Sequence, residues 1–358
     1  MYIHLFSFTE HASKLALSLS DMYHTLGHHC TCYTMKQFAI HPKLTAFPNS
    51  AKEQVGESFK TQDVLVFIGA CGIAVRMIAP FIKSKTTDPC VLCIDEKGQF
   101  VISLLSGHIG GGNEFTLETA SLINGTPIIS TATDLNDKFA VDVFAKKNEL
   151  TINSMPLAKA VSSKLLQNIN IGIKSDLPLP QTLPDGLIPF EACDHTVSLG
   201  IYIGLSTKAP LPFKDTLVLT PKQVVLGIGC KRNTPLENIE ALVLDTLEKN
   251  NLPLESIHSV ASIDLKKDEA GLLAFCEKYA LPFTTYSADE LLAVKGTISS
   301  SSFVQSITGV DSVCERAALA RANSEELLIP KTAHQGVTVA ACLRPMTLNF
   351  SSWIKGKS

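Results

Sequence analysis

Two blocks of the sequence alternate short apolar runs with helix-like stretches, and this alternation constrains the fold more than any other feature. Strand-like runs in the first block occupy residues 3–8, 30–35, 64–68, 91–94, 100–104 and 127–130. Helix-like stretches between them occupy residues 10–26, 72–83 and 113–123. Such alternation is typical of a mostly parallel sheet covered on both faces by helices. A hairpin is also predicted where Lys97 and Gly98 separate two apolar runs, so the sheet is not purely parallel.

The alternation is interrupted between about residues 151 and 221 and resumes after Val224. The interrupting segment is rich in proline, which lacks an amide donor and disfavours central strands and long helices. Its strand-like runs, 169–173 and 197–203, favour a small folded unit over disorder. We therefore expect two α/β domains with open, mostly parallel sheets, joined by a small irregular middle domain. The predicted boundaries are 1–145, 146–221 and 222–346, with a tail at 347–358.

Composition and charge exclude several classes of function. The formal net charge is −3, so the chain lacks the basic field that drives binding to nucleic acid. Residues 64–82 are the most membrane-like run, but Gly69, Gly72 and Arg76 interrupt it, and a strand, turn and helix explain it better. The first residues lack the basic start of a secretory signal. We expect a cytoplasmic protein that does not enter membranes.

Ten cysteines in 358 residues are too few for a disulfide scaffold. Cys90 and Cys93 have the spacing of a metal or redox pair, but they lie in a strand-like run that would turn their sulfurs to opposite faces. No second pair nearby completes a zinc site. We therefore expect buried structural cysteines and no metal site in the protein.

The segment LLSGHIGGGNE, at the end of the strand-like run 100–104, has the richest chemistry. Gly110, Gly111 and Gly112 allow backbone amides to approach a ligand, and the helix that follows presents its positive end. His108 titrates near neutrality, with Glu114 close by as a partner. Residues 106–112, here called the glycine-rich turn, lack both Rossmann spacing and a P-loop lysine, so dinucleotide binding is a weak interpretation. The turn follows a strand, where open α/β sheets bind ligands.

Other turns that follow strands add polar side chains to the candidate site. Arg76 lies on an otherwise apolar helical stretch after the strand at 64–68, where it either binds a ligand or extends into solvent. The turn STATDLNDK offers Thr131, Thr133 and Asp134, although Asp134 can equally well cap the next helix. Cys71 has no histidine beside it in sequence and is a poor nucleophile candidate.

The second α/β block has a cluster of cations after its strands. Lys231 and Arg232 stand just before a predicted helix that has Thr234 as its N-cap and Pro235 at its first position. Two cations at a helix N-terminus do not stabilise the helix, so an anion that offsets them is expected. Lys266 and Lys331 follow or precede neighbouring strands. Together these cations could surround a ligand that carries many carboxylates.

The first block carries GIAVRMIAPFIKSKTTDPCVLCIDEKGQFVISLLSGHIGGGNE and PIISTATD, and the second carries VVLGIGCKRNTP, SIDLKKDE and IPKTAHQGVTVA. In these motifs the sequence resembles the cobalt-precorrin-5A hydrolases, also called the cobalamin biosynthesis protein G family. Both motif sets occur in family order, over residues 63–341. The resemblance implies a hydrolase of anaerobic cobalamin synthesis that opens the ring A δ-lactone of cobalt-precorrin-5A and releases acetaldehyde, giving cobalt-precorrin-5B.

That reaction needs an activated water, donors for an oxyanion and two proton transfers. On the family's motif positions, His108 is the expected general base, with Glu114 or Asp134 as its partner or as the second proton-transfer group. The residues expected to bind substrate are Arg76, Ser106, Gly107, Gly110, Gly111, Gly112, Asn113, Thr131, Thr133, Lys231, Arg232, Thr234, Lys266 and Lys331. No cofactor is expected, because the substrate carries the cobalt; His108 as a ligand of that cobalt is a rival role.

Two other functions remain open at this stage. A non-catalytic protein that binds or channels corrinoid intermediates to neighbouring enzymes of the pathway would retain substrate without releasing acetaldehyde. A nucleotide- or phosphate-using α/β enzyme would be stabilised against heat by nucleotide. The sequence also leaves the oligomeric state open, with a homodimer among the alternatives.

Overall fold

The first sheet of the computed structural model has seven strands. They are β1 (Tyr2–Ser7), β2 (His29–Thr34), β3 (Leu44–Ala46), β4 (Val64–Ile68), β5 (Cys90–Ile94), β6 (Phe100–Leu105) and β7 (Thr126–Ile128). Their order across the sheet is β3-β2-β1-β4-β5-β6-β7. The first five are parallel to one another, whereas β6 runs antiparallel to β5 and β7 runs parallel to β6. The predicted hairpin is therefore confirmed, with Gly98 in its turn at φ +71°.

The structure describes residues 1–84, 87–107, 110–131, 138–206, 210–296, 298 and 310–350. The chain divides into two units, Met1–Lys138 and Phe139–Ser358. The first unit contains the seven-stranded sheet, and the second contains two further sheets of five strands each. The predicted α/β class is confirmed.

Helices cover both faces of the first sheet. They are α1 (Glu10–Thr25), α2 (Ala51–Thr61), α3 (Cys71–Ile78) and α4 (Gly112–Ile123). The period of two along β4 sends Val66 into one apolar core with α1 and α4, and Phe67 into a second core with α2 and α3. Cys90 and Cys93 likewise lie in opposite cores, as predicted. The apolar run 64–82 thus forms a strand and a helix, and no helix in the described chain has the length and hydropathy of a membrane span.

The middle segment is more regular than predicted. It forms strands β8 (Leu150–Ile152), β9 (Ile171–Ser175), β10 (Leu187–Pro189), β11 (Leu199–Ile203) and β12 (Asp215–Pro221), with helices α5 (Val141–Lys147) and α6 (Met155–Leu166). The strand order is β10-β9-β11-β12-β8, and only β8 is antiparallel to its neighbour. Prolines do not prevent this sheet, because they lie in the connections, in the first turn of α6 as Pro156 does, or at the end of a strand as Pro189 and Pro221 do.

The core of this middle sheet uses residues from outside the predicted segment. Phe139 and Phe144, which precede the predicted boundary at 146, are fully buried in it. Leu348 and Phe350, in the predicted tail, pack against the same core, and the ring of Phe350 lies 4.5 Å from that of Phe144. The described part of the tail is therefore part of the folded unit.

The third sheet forms the framework of the second α/β block. Its strands are β13 (Val224–Cys230), β14 (Ile257–Ile263), β15 (Phe283–Tyr286), β16 (Ile329–His334) and β17 (Val337–Leu343), in the order β15-β14-β13-β17-β16. Its helices are α7 (Leu236–Lys249), α8 (Ala270–Lys278), α9 (Ala288–Leu292) and α10 (Val313–Ala322). Strands β13, β14 and β15 are parallel, and β17 runs antiparallel to β13. The sequence also predicts a helix over residues 303–308, and these lie outside the described residues.

Helix α10 packs directly on β13. A Cβ on Gly227 would lie 1.8 Å from the carbonyl oxygen of Cys314, so no larger residue fits at this position. The first residue of α10, Val313, lies near the carboxyl end of β13, 3.9 Å from a Cβ built on Gly229. The described chain also has short 3₁₀ helices at Lys36–Phe38, Phe190–Ala192, Leu254–Ser256 and Asp264–Lys266.

Candidate functional site

The glycine-rich turn connects β6 to α4 through a fold-back of the backbone. The amide of Gly112 donates to the carbonyl of Ser106 at 3.1 Å, and the amide of Asn113 donates to the carbonyl of Gly107 at 2.8 Å. Gly111 stands at the helix N-cap with φ +81°, a left-handed conformation that favours glycine. The amides of Gly110 and Gly111 donate to no atom of the described chain. Of the three amides predicted to bind a ligand, that of Gly112 therefore already donates a hydrogen bond within the protein.

Close packing leaves no room for a side chain at two glycines of the turn, Gly107 and Gly110. A Cβ on Gly110 would lie 2.4 Å from the carbonyl oxygen of Ser106, and one on Gly107 would lie 2.4 Å from Oδ1 of Asn113. The turn thus folds tightly against its own preceding residues. Its conformation is fixed by packing as well as by the freedom of the glycine backbone.

Asn113 joins the glycine-rich turn to the chain that follows β7. Its side-chain carbonyl accepts a hydrogen bond from the hydroxyl of Ser103 at 2.7 Å, and its amide donates to the hydroxyl of Thr131 at 2.9 Å. Because β6 and β7 are parallel neighbours, their carboxyl ends meet at one edge of the sheet. The structure therefore brings together two of the turns that the sequence singled out.

A second connection, not predicted from the sequence, holds the start of the turn. The hydroxyl of Ser106 donates to the carbonyl oxygen of Asp88 at 2.9 Å. The carboxylate of Asp88 in turn accepts hydrogen bonds from the amides of Lys83 and Ser84. The only sequence signal for this connection is an aspartate followed by proline just before a strand, which is typical of a turn.

Arg76 does not lie with the glycine-rich turn. Leu105, at the end of β6, pairs with Val91, at the start of β5, so the turn lies at the edge where the parallel strands begin. Helix α3 instead follows the carboxyl end of β4, and Nη1 of Arg76 lies 3.8 Å from a Cβ built on Gly72 at the start of that helix. The reversal of β6 therefore separates two turns that both follow a strand in sequence.

The proton-transfer residues are only partly described. Glu114 is exposed in the first turn of α4, where its charge is favourable at the helix N-terminus. His108, Thr133 and Asp134 lie outside the described residues. Their predicted roles stay predictions.

In the second unit, the predicted cations meet around one cavity at the carboxyl edge of β13 and β14. The cavity has a volume of about 680 Å³ and is lined in part by Lys231, Arg232, Lys266 and Lys331. We call it the cationic pocket. The hairpin between β16 and β17 reaches the same edge, because Val337 pairs with Cys230. Four of the predicted substrate-binding residues are thus brought together by the fold.

Two of these cations are held by acids beside the pocket. Arg232 forms a two-pronged pair with Asp268, at 2.8 and 3.2 Å, and these hydrogen bonds lower the pKa of the aspartate. Nζ of Lys266 lies 3.3 Å from the carboxylate of Glu269, whose side chain is only 2% exposed. Lys231 and Lys331 form no ion pair with any residue that the structure describes.

Thr234 differs from its predicted role. Helix α7 begins at Leu236 with Pro235 as its N-cap, one residue later than predicted. The hydroxyl of Thr234 donates instead to the carbonyl of Lys231 at 2.7 Å, and the residue is buried. It therefore shapes the loop that carries Lys231 and caps no helix through its side chain.

Glu315 is a further residue that the sequence did not single out. It is buried on α10, accepts a hydrogen bond from the hydroxyl of Ser312 at 2.8 Å and accepts another from the amide of Lys331 at 2.9 Å. Its carboxylate thereby ties the start of α10 to β16. The available signal was a glutamate in the alanine-rich sequence of α10, where the other charged residues are Arg316 and Arg321.

Neither a metal site nor a reactive thiol is evident in this part of the chain. Among the described residues, no group of three histidine, cysteine, aspartate or glutamate side chains is placed to hold a metal ion. Cys230 lines the cationic pocket, but burial raises the pKa of its thiol, which disfavours the nucleophilic thiolate. The ability of the protein to act without its own metal stays a prediction.

Comparison with known proteins gives two family matches and several relatives. Residues 53–134 match the model of the cobalamin synthesis G N-terminal region, and residues 224–342 match that of the cobalamin synthesis G C-terminus. The chain is 34% identical to the cobalt-precorrin-5A hydrolase of Salmonella typhimurium, over 86% of this chain and 90% of that one. It is 30% identical to the cobalt-precorrin-5A hydrolase of Priestia megaterium, over 94% and 93%.

A solved structure with similar coverage is a cobalamin biosynthesis protein G homolog from Sulfolobus solfataricus. It is 22% identical to this chain, covers 96% of this chain and 97% of its own length, and superposes with a TM-score of 0.42.

Proposed function

The chain belongs to the cobalamin synthesis G family of cobalt-precorrin-5A hydrolases, and on this premise we propose that it hydrolyses cobalt-precorrin-5A. Its relatives of that name extend over nearly the whole chain. The proposed products are cobalt-precorrin-5B and acetaldehyde. The cobalt enters and leaves with the macrocycle, so the proposal assigns no metal or cofactor to the protein.

The proposed reaction consumes one water molecule and has two bond-breaking steps. Water adds to the carbonyl of the ring A δ-lactone, and the acyl carbon–oxygen bond breaks to give the ring A carboxylate and a free hydroxyl on the two-carbon bridge. That hydroxyl then loses its proton while the carbon–carbon bond to the ring breaks. Acetaldehyde leaves, and the electron pair stays with the macrocycle, which takes up a proton. The steps need an oxyanion site and groups that accept and return protons.

We assign the oxyanion site to the glycine-rich turn. The observation that carries this assignment is that the amides of Gly110 and Gly111 donate to no atom of the described residues, while the neighbouring amides of Gly112 and Asn113 donate within the fold. The amides of Gly110 and Gly111 stand immediately before α4, a helix of 12 residues whose positive end favours a developing negative charge.

We assign proton transfer to His108 as general base, with Glu114 or Asp134 as the second group. Histidine suits the first role because its ordinary pKa lies near neutrality. The position of His108 inside the glycine-rich turn, two residues before Gly110, favours it over the other histidines of the chain.

The test uses the full chain with authentic cobalt-precorrin-5A, and acetaldehyde is measured through NADH consumption by an added alcohol dehydrogenase. The unaltered protein should release one acetaldehyde for each substrate consumed. His108→Ala should lower kcat by about 10²- to 10⁴-fold while binding substrate normally. His11→Ala, a change at an exposed histidine of α1, is the matched control and should keep full activity.

Two outcomes would count against the proposal. Stable binding of substrate by the unaltered protein with no acetaldehyde would indicate a protein that binds or channels the intermediate. Full activity of His108→Ala would exclude histidine as the general base. A change in the cobalt absorption spectrum on binding that His108→Ala abolishes would point instead to cobalt ligation by this residue.

A further inference from the structure

The cationic pocket has an unbalanced charge on its surface. Four cations line it, and no acid is among the described residues that do so. The acids beside it offset Arg232 and Lys266, but Lys231 and Lys331 form no ion pair with a described residue. Like charges held near one another without counter-charges favour the binding of an anion.

Hydrogen bonds fix the backbone of both Lys231 and Lys331. The amide of Lys231 donates to the carbonyl of Gly336, and a Cβ on Gly336 would lie 2.9 Å from Cδ of Lys231. The aliphatic stem of the lysine therefore packs on the β16–β17 hairpin, which leaves its ammonium group at the pocket. The amide of Lys331 is held by the buried carboxylate of Glu315. Both backbone positions are fixed before any ligand arrives, which lowers the entropic cost of binding.

The wall of the pocket between the cations is apolar. Ile263, Val313 and Val337 line it and come from β14, α10 and β17 respectively. The volume of about 680 Å³ falls in the range of roughly 300–1,000 Å³ that small-molecule sites occupy. An apolar wall with cations around it suits a ligand that has a broad hydrocarbon body and several anionic groups at its edge. Inorganic phosphate would leave the apolar wall unused.

We propose that the cationic pocket binds the carboxylate-bearing edge of a tetrapyrrole macrocycle, with Lys231 and Lys331 as the principal carboxylate contacts. The choice of a tetrapyrrole rests on the proposed function, whereas the preference for an amphiphilic polycarboxylate rests on the pocket alone. The two lysines contribute to binding and take no part in the chemical steps.

The test measures the affinity of the full chain for a macrocycle that has no lactone. The probe is uroporphyrin, which carries eight carboxylates, and binding is followed by the change in its fluorescence. Lys231→Met and Lys331→Met remove the charge and keep most of the aliphatic stem, so the packing on the hairpin is preserved. Lys249→Met is the matched control, because Lys249 is an exposed residue at the end of α7 and pairs with Asp245 four residues earlier.

Each pocket variant should weaken uroporphyrin binding about tenfold, the loss expected for one charge-assisted hydrogen bond, and the double variant should weaken it further. Raising the ionic strength should weaken binding by the unaltered protein more than binding by the double variant. The octamethyl ester of uroporphyrin, which is uncharged, should bind poorly to every variant.

The proposal is overturned if the unaltered protein does not bind uroporphyrin, if the lysine variants bind it as the control does, or if the ester binds equally well. Competition by inorganic phosphate at a concentration similar to that of the porphyrin would indicate a simple anion site and would also overturn it. These outcomes are independent of turnover. A protein that binds uroporphyrin through the lysines but releases no acetaldehyde would refute the proposed hydrolysis and leave the pocket assignment standing.

Discussion

The side-chain amide of Asn113 donates a hydrogen bond to the hydroxyl of Thr131 over 2.9 Å, and its carbonyl accepts one from Ser103 at 2.7 Å. One buried side chain thus holds the end of β6, the glycine-rich turn and the chain after β7 in a fixed relation. Asn113 is also part of the first turn of α4. A substitution at this residue therefore affects the helix N-terminus that forms part of the proposed oxyanion site.

Asn113→Ala should therefore reduce both stability and activity. Loss of the side chain leaves the hydroxyls of Ser103 and Thr131 without this partner, at a cost of about 1–3 kcal/mol in the free energy of unfolding. Urea denaturation measures this cost, and the acetaldehyde assay should show a lower kcat. Thr131→Val removes one of the two hydrogen bonds and should have a smaller effect. If Asn113→Ala were as stable as the unaltered protein, the hydrogen bonds would not be what holds the turn.

Adjacent glycines of the turn should respond differently to alanine. At Gly110 a Cβ would meet the backbone of Ser106 at 2.4 Å, so Gly110→Ala requires the turn to open and should reduce both stability and kcat. At Gly111 nothing lies within 4 Å, and only the left-handed φ of +81° opposes a side chain. Gly111→Ala should cost about 1–2 kcal/mol in unfolding free energy, and Gly111→Asn less, because asparagine tolerates this conformation. Equal losses at both positions in denaturation experiments would contradict the packing explanation.

The sheet framework was predictable because short apolar runs reveal buried strands. The strand predicted at 64–68 agrees with the structure to the residue, because it is a strongly apolar segment with clear ends. The direction of a strand is harder to predict. The residues of β6 do not indicate that the glycine-rich turn lies at the opposite edge of the sheet from Gly72. The direction of β6 is set by the hairpin that precedes it and by the packing of helices on both faces of the sheet.

The candidate site was predictable as a set of residues and only partly as an arrangement. Lys231, Arg232 and Lys266 lie just after β13 and β14, and the carboxyl-edge rule for open sheets explains why they meet. Lys331 lies inside β16, and it reaches the same pocket because the β16–β17 hairpin extends to that edge. Glu269 and Glu315 were missed because a buried acid looks like a surface acid in sequence. Their roles depend on partners that are distant along the chain or belong to the backbone, and only the folded structure supplies them.

Glu269 should be important for stability. Its carboxylate is 2% exposed and lies 3.3 Å from Nζ of Lys266, which is itself 14% exposed. Glu269→Gln leaves a mostly buried ammonium group without its counter-charge, and such losses cost about 3 kcal/mol or more. Asp268→Asn is a suitable control, because the ion pair of this neighbouring residue with Arg232 is well exposed and contributes about 1 kcal/mol or less. Thermal denaturation should show a much larger decrease in Tm for Glu269→Gln, and equal decreases would contradict the assignment.

His4 should make the first unit sensitive to acid. Nδ1 of its ring is hydrogen-bonded to the hydroxyl of Ser58 at 2.7 Å, and the ring centroid lies 5.1 Å from that of Tyr33. Burial lowers the pKa of His4 from an ordinary value of 6.5 to about 4. Between pH 6.5 and 4 the unfolded chain therefore binds a proton at this site that the folded chain does not. The contribution of His4 to the free energy of unfolding is fully present above pH 6.5 and decreases as the pH falls from 6.5 to about 4. Below about pH 4 it decreases no further.

Replacing this histidine with a residue that does not titrate should remove that part of the acid sensitivity. Urea denaturation of His4→Asn, measured at intervals from pH 7.5 to 4, should give a shallower decrease in unfolding free energy than the unaltered protein, by up to one proton in the slope. His11→Asn, at an exposed position on α1, should keep the original slope. Parallel curves for His4→Asn and the unaltered protein would show that His4 is protonated as easily in the folded chain as in the unfolded one.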